Sequence, residues 1–173
     1  YLADGRTQGL FVGEIASFEW LDKLMEMYQV RICVIDALPE THKARQFAKR
    51  CGAKVYLAYY DRHEGDHEWS GGSSASDEHT VHINRNQALD EMFDRFKQGK
   101  AELPENARHV GGWPKNGIGE YYREMTALSR TLEQDAQGNW VARYVDAKKA
   151  DHYAHAEAYC LLAGMIRAVP NRV

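Results

Sequence analysis

No apolar run in the 173 residues approaches the about 18–20 needed to cross a bilayer. Tyr1 to Arg6 reads as neither a secretory signal nor an amphipathic transit peptide. Cysteine is scarce: Cys33, Cys51 and Cys160 are odd in number and widely spaced. That excludes a disulfide framework and a cysteine-based zinc knuckle, and their apolar surroundings predict buried, inert thiols. Charge of one sign is also lacking. A net charge of −3 removes wholesale electrostatic attraction to nucleic acid, so any such site needs a local basic face. There is no G-x-x-x-x-G-K-[ST], no G-x-S-x-G and no H-E-x-x-H. ATP hydrolysis, the serine-hydrolase elbow and the zincin helix therefore find no motif here. What is present, 44% apolar and 27% charged residues in 19.8 kDa, fits a single globular domain over 1–173.

The pattern along the chain is alternating. Asp4-Gly5 marks a turn, followed by an expected strand over Leu10–Glu14. Ser17 offers an N-cap to a helix carrying Phe18, Leu21, Leu24, Met25 and Tyr28. Val30 to Asp36 is a β-branched run that reads as a buried central strand. Pro39, at about N1, opens a helix that ends at Gly52, and Val55–Tyr60 is the next strand. Strand, helix, strand, helix, strand implies an α/β fold with parallel pairing.

His63–Glu78, acidic and rich in Gly and Ser, reads as a mobile loop. A strand over Thr80–Ile83 and a helix capped by Asn86 follow. Glu120–Leu128 reads as a short helix. Two strands, Arg130–Glu133 and Trp140–Tyr144, flank a turn containing Gly138, with Trp140 expected to anchor this hairpin in the core. A last helix runs from about Asp151 to Arg167.

Two carboxylates stand out. Asp36 ends a core strand, at the edge where α/β proteins place ligands; its alternative role is a turn before Leu38-Pro39. Asp151 opens the terminal helix with His155 one turn on and His152 beside it; its alternative role is simple N-capping. Carboxylates converging from separate elements suit Mg²⁺ or Mn²⁺, which take oxygen ligands. Asp61, ending the strand beside that of Asp36, is an auxiliary ligand or a partner of Arg62. Lys43, Arg62, Arg85, Lys148 and Lys149 are candidate DNA contacts, or ordinary solvated charges.

The run Cys33-Val-Ile-Asp-Ala-Leu-Pro-Glu-Thr, the Tyr59-Tyr-Asp-Arg that follows, Ile83-Asn-Arg with its helix, and the ending Asp151-His-Tyr-Ala-His-Ala-Glu-Ala-Tyr-Cys resemble the nuclease domain of the large terminase subunit of tailed bacteriophages. The resemblance implies an RNase H-like fold, a mixed β-sheet flanked by helices on both faces. It implies an endonuclease that cuts double-stranded DNA by a two-metal mechanism with Mg²⁺ or Mn²⁺. Its partners would be DNA and a packaging motor (ATPase domain, portal and small terminase subunit), in the host cytoplasm and away from membranes. Asp36 and Asp151 match two of the family's acidic ligands, and His152 and His155 would orient Asp151. The family's first acid lies on a strand before the opening hairpin. A chain starting at Tyr1 without Met reads as a fragment lacking that strand and the upstream ATPase domain, expected to bind metal weakly and cut poorly. A resolvase- or transposase-type nuclease and a non-catalytic module of the motor stay open beside this reading.

Overall fold

The structure, a computed structural model, describes residues 4–61, 67–70, 78–111, 119–146 and 149–168. In chain order the elements are β1 (Thr7–Gln8), α1 (Phe18–Met27), β2 (Cys33–Asp36), α2 (Thr41–Cys51), β3 (Val55–Asp61), β4 (Glu68–Ser70), β5 (His79–Asn84), α3 (Arg85–Lys97), β6 (Ala101–Glu102), α4 (Glu120–Met125), β7 (Leu128–Gln134), β8 (Trp140–Asp146) and α5 (His152–Ala168). They form two compact units, one of Tyr1–Glu14 with Leu89–Ala158 and the other of Ile15–Ala88 with Tyr159–Val173. The architecture is α/β with a mixed sheet.

The second unit holds that sheet, in the order β2-β3-β5-β4. β2 and β3 run parallel, as the alternation implied; β5, beyond that alternation, is parallel to β3, and β4 is antiparallel to β5. β5 turns His79, Val81 and Ile83 inward, as period-two alternation requires. The core joins Met25 of α1, Ala44, Phe47 and Ala48 of α2, and Val55 and Leu57 of β3. Phe47 and Leu57 are fully buried, and each such side chain contributes about 1.5–3 kcal/mol.

Several sequence expectations are corrected here. β2 is an outer strand of this sheet, half-buried with Asp36 exposed; the fully buried Leu57 and Val81 lie on β3 and β5. α2 starts at Thr41, two residues beyond Pro39, because the Asp36 carboxylate takes the Leu38 N–H and closes a turn ahead of the helix. Gln87 N–H donates to Asn84 Oδ1 at 3.1 Å, so Asn84 caps α3 in place of Asn86. Within the expected loop His63–Glu78, Glu68–Ser70 forms β4, and Trp69 meets the Tyr56 ring edge-on at 5.8 Å. A single large aromatic with a ring to pack against outweighs the acidic, Gly-rich context. Residues 62–66 and 71–77 of that segment lie outside the described residues. Cys33 and Cys51 are half-buried, and burial pushes the Cys33 thiol up to about 12; Cys160 is exposed, against expectation.

The first unit is built around the hairpin β7–β8, paired from Leu128↔Asp146 to Gln134↔Trp140. Its turn is closed by Asp135, whose carboxylate accepts the N–H groups of Gln137 and Asn139, with Gly138 at φ +85°. Trp140 is 67% exposed and does not anchor the hairpin. Tyr144 does: it is buried, stacks on Phe93 at 5.7 Å and donates its hydroxyl to Asp90 at 2.9 Å. Trp140 and Tyr144 lie four apart on the same face of β8, but Tyr144 reaches Phe93 and Asp90 whereas Trp140 stands beside the turn, opposite Gln134. No strand forms over Leu10–Glu14. Pairing instead occurs at Thr7–Gln8, parallel to β6, and stops at Pro104, which has no N–H to continue a ladder. α4 ends at Met125, so Leu128 opens β7 instead of closing the helix.

Candidate functional site

β2 delivers Asp36 to the C-terminal edge of the parallel strands, level with Ala58 of β3. Asp36 Oδ1 accepts the Leu38 N–H at 2.9 Å, which makes the turn toward α2. Oδ2 accepts the Tyr159 hydroxyl at 3.0 Å. Tyr159 is buried and stacks on Tyr60 at 5.6 Å. Burial, then Tyr60 and Asp36, pushes its hydroxyl far above the ordinary tyrosine range, so it stays a proton donor. The Asp36 carboxylate is thus held by two donors while its exposed side keeps lone pairs for a further partner.

Asp61 closes β3, where its backbone pairs with Asn84; its side chain lies outside the described residues. Arg62 and Lys148 lie outside them too.

At the start of α5, the Asp151 carbonyl accepts the N–H groups of Ala154 and His155, and its Oδ2 meets His155 Nε2 at 3.1 Å. Both side chains of that pair are largely covered, at 18% and 16% exposure. His152 is exposed, while His155 lies against the Asp151 carboxylate. Two further acids, the buried Glu124 and the half-buried Glu157, lie in the same unit. Glu124 of α4 accepts the Tyr153 N–H at 3.2 Å, satisfying an otherwise orphaned donor in the first turn of α5. Glu157 accepts the Tyr121 hydroxyl at 2.8 Å, and burial raises its carboxyl above the usual range.

Tyr159, Glu124 and Glu157 are the residues that sequence reasoning missed. The signal was there. Glu124 falls between Tyr121 and Met125 at helical spacing, and Glu157 between Tyr153 and Leu161, so each is an acid on an apolar stripe.

The described basic candidates are less constrained. Lys43 pairs with Glu40 at 2.9 Å, exposed on both sides. Arg85 is half-buried and Lys149 exposed.

Asp36 and Asp151 belong to different units. Their donor chemistry, carboxylate oxygens with an imidazole behind one of them, suits a hard divalent cation. Among the described residues, no group of three or more His, Cys, Asp or Glu side chains is arranged to hold a metal ion. Among them, too, no helix is long and apolar enough to cross a membrane. No protein-family model matches the chain, and neither a curated protein nor a solved structure matches it.

Proposed function

We propose that the chain is a divalent-metal-dependent endonuclease domain of RNase H-like type, cutting double-stranded DNA within a phage DNA-packaging terminase. The observation that carries the reading is the presentation of Asp36. An exposed carboxylate ends a parallel strand, and Tyr159, on the helix that Asp151 opens, donates to it. The resemblance singles out the same strand end and the same helix. Two Mg²⁺ or Mn²⁺ ions, when bound, would activate a water and stabilise the leaving oxygen. The chain's own residues have simpler tasks. Asp36 offers anionic oxygens, Tyr159 restricts the rotation of that carboxylate, and His155 orients Asp151. Asp61 would add a ligand, and Lys43, Arg62, Arg85, Lys148 and Lys149 would meet the DNA backbone. The packaging motor is the partner under this reading, and the host cytoplasm the compartment.

The test is cutting of plasmid DNA by the protein at the full length its gene encodes. We expect Mn²⁺- or Mg²⁺-dependent nicking, abolished by EDTA and lost in Asp36→Asn. Undiminished cutting by a folded Asp36→Asn variant would sink the reading. A specific observation favours a second one, a non-catalytic module of the motor: Asp36 already closes a turn through the Leu38 N–H, a purely structural task. Absence of Mn²⁺ binding in a titration of the same protein would select it.

A further inference from the structure

His42, Arg45, Gln46 and Lys49 follow one another on α2 at i, i+3, i+4 and i+7 and so share a face. That face lines a cavity of about 280 Å³, closed on the sheet side by Val55, Glu78 and His79. Val55 and His79 are the first residues of β3 and β5, so the cavity lies at the N-terminal edge of the parallel strands. Asp36 ends β2 at the opposite edge, and the two places are distinct.

His79 is 7% exposed, and neither of its ring nitrogens has a hydrogen-bond partner among the described residues. Its ring meets that of Tyr56 at 5.1 Å. Buried polar atoms without partners are rare, because the lost hydration is not replaced, and an orphaned one lining a cavity points to an absent ligand. The ligand's charge follows from the helix face. Arg45 and Lys49 place two fixed positive charges there, which repel a metal ion and attract an anion. Arg45 bonds to Tyr59 and pairs with Glu78 at 3.2 Å, yet both charged side chains are more than two-fifths exposed, so the ion pair is worth little and an incoming anion can replace Glu78. A guanidinium fork beside a lysine point charge matches the several oxygens of a phosphate.

We propose that this cavity is a phosphate-binding site, taking the phosphate of a nucleotide or of a nucleic-acid backbone, with Arg45 and Lys49 supplying charge and His79 a ring N–H. It does not depend on the nuclease reading, and its test does not use DNA cutting.

The experiment titrates the full-length protein with inorganic phosphate, a nucleoside 5′-monophosphate and a short DNA duplex at one ionic strength, followed by calorimetry and by the NMR signals of the histidine rings. We expect the His79 ring signals to move. Arg45→Gln and Lys49→Gln should each weaken binding roughly ten-fold, the effect of one charge-assisted contact. Lys97→Gln, which alters an exposed lysine on α3 paired with Asp94, should bind as the parent does. His79→Phe keeps a ring against Tyr56 and removes both nitrogens. It should weaken binding yet melt no lower than the parent, since no existing hydrogen bond is lost. A stronger response to the mononucleotide assigns a free nucleotide. A stronger response to the duplex, with a salt dependence that flattens by about one unit for each contact removed, assigns a nucleic-acid backbone. Still His79 signals with all three probes, or unchanged affinity in Arg45→Gln and Lys49→Gln, would overturn the proposal. So would a lower melting temperature of His79→Phe, which would show that the ring nitrogens already have a structural partner.

Discussion

At the end of β2 the Asp36 carboxylate faces solvent, held by one backbone N–H and by the hydroxyl of Tyr159. At the start of α5 the Asp151 carboxylate is largely covered and tied to His155, in a unit that also buries Glu124 and half-buries Glu157. The same residue type therefore meets two different costs. Asp36 can take a cation with little further desolvation. Asp151 must give up or share its imidazole, and it is stabilised where it stands by the N-terminal end of the helix. The first is poised to be a ligand. The second is first of all part of a helix start, and any ligand role is added to that one.

The strongest way to break the comparison is to remove the core beneath the sheet that carries Asp36. Phe47→Ala should cost about 3–5 kcal/mol, because the ring is fully buried between α2 and its neighbours. Urea unfolding measures the cost. Hydrogen exchange should show β2 and β3 losing protection, and retained protection there would mean that Phe47 does not support the Asp36 end.

Next come the two carboxylates. Under the proposed function, Asp36→Asn and Asp151→Asn each lower metal-dependent cutting by at least about 100-fold, since each removes an anionic ligand while keeping its shape. Their stabilities should separate. Asp36→Asn should cost about 1 kcal/mol, because one amide oxygen cannot accept both the Leu38 N–H and the Tyr159 hydroxyl. Asp151→Asn should lose more, through the His155 pair and the helix start. His155→Ala should affect cutting less than either. Equal melting temperatures for the two Asn variants would erase the contrast between the sites.

A smaller effect is expected at Asp90. It takes a fork from Arg130 at 2.8 and 2.7 Å together with the Tyr144 hydroxyl. Burial works upward on this carboxyl, but the bonds from Arg130 and Tyr144 outweigh it and hold the group low. Asp90→Ala should cost about 1–2 kcal/mol, because the buried Tyr144 hydroxyl loses its acceptor as well. A double-mutant cycle with Tyr144→Phe separates the two contributions.

The mildest effect is a slope. Burial raises the folded-state carboxyl of Glu157 above its ordinary 4.5. Between that value and the raised one, the folded protein holds a proton that the unfolded chain has released. This group's favourable contribution is therefore full below pH 4.5 and is lost as pH rises through the folded value. Glu157→Gln keeps the shape and cannot titrate, so it should gain on the parent as pH rises from 4 to 7. Parallel melting curves across that range would show that Glu157 is ionised in the folded state.

How much was legible follows from which interactions are local. The parallel strands β2 and β3, the existence of β5, the hairpin β7–β8 and the span of α5 were readable because apolar periodicity and turn chemistry reside in neighbouring residues. Asp36 at a strand end and Asp151 at a helix start were readable for the same reason. Trp140 was misjudged because it shares the inward face of β8 with Tyr144 but sits at the turn end of the hairpin, where it stays exposed. β4 was missed because the ring of Trp69 finds Tyr56, thirteen positions earlier.

By itself, then, the amino-acid order determined the element types and the alternation that makes this an α/β chain, since both follow from short-range spacing and backbone preference. Tertiary structure alone decided that β2 lies at the outside of its sheet, that Tyr159 reaches Asp36 from more than a hundred residues away, and that Glu124 is buried and Glu157 half-buried. It also decided that His79 should face a cavity bearing Arg45 and Lys49. The reason is physical. Pairing partners and burial depend on which distant surfaces meet, and the free energy of covering a carboxyl or an imidazole is set by those surfaces and not by the residue's own neighbours in the chain.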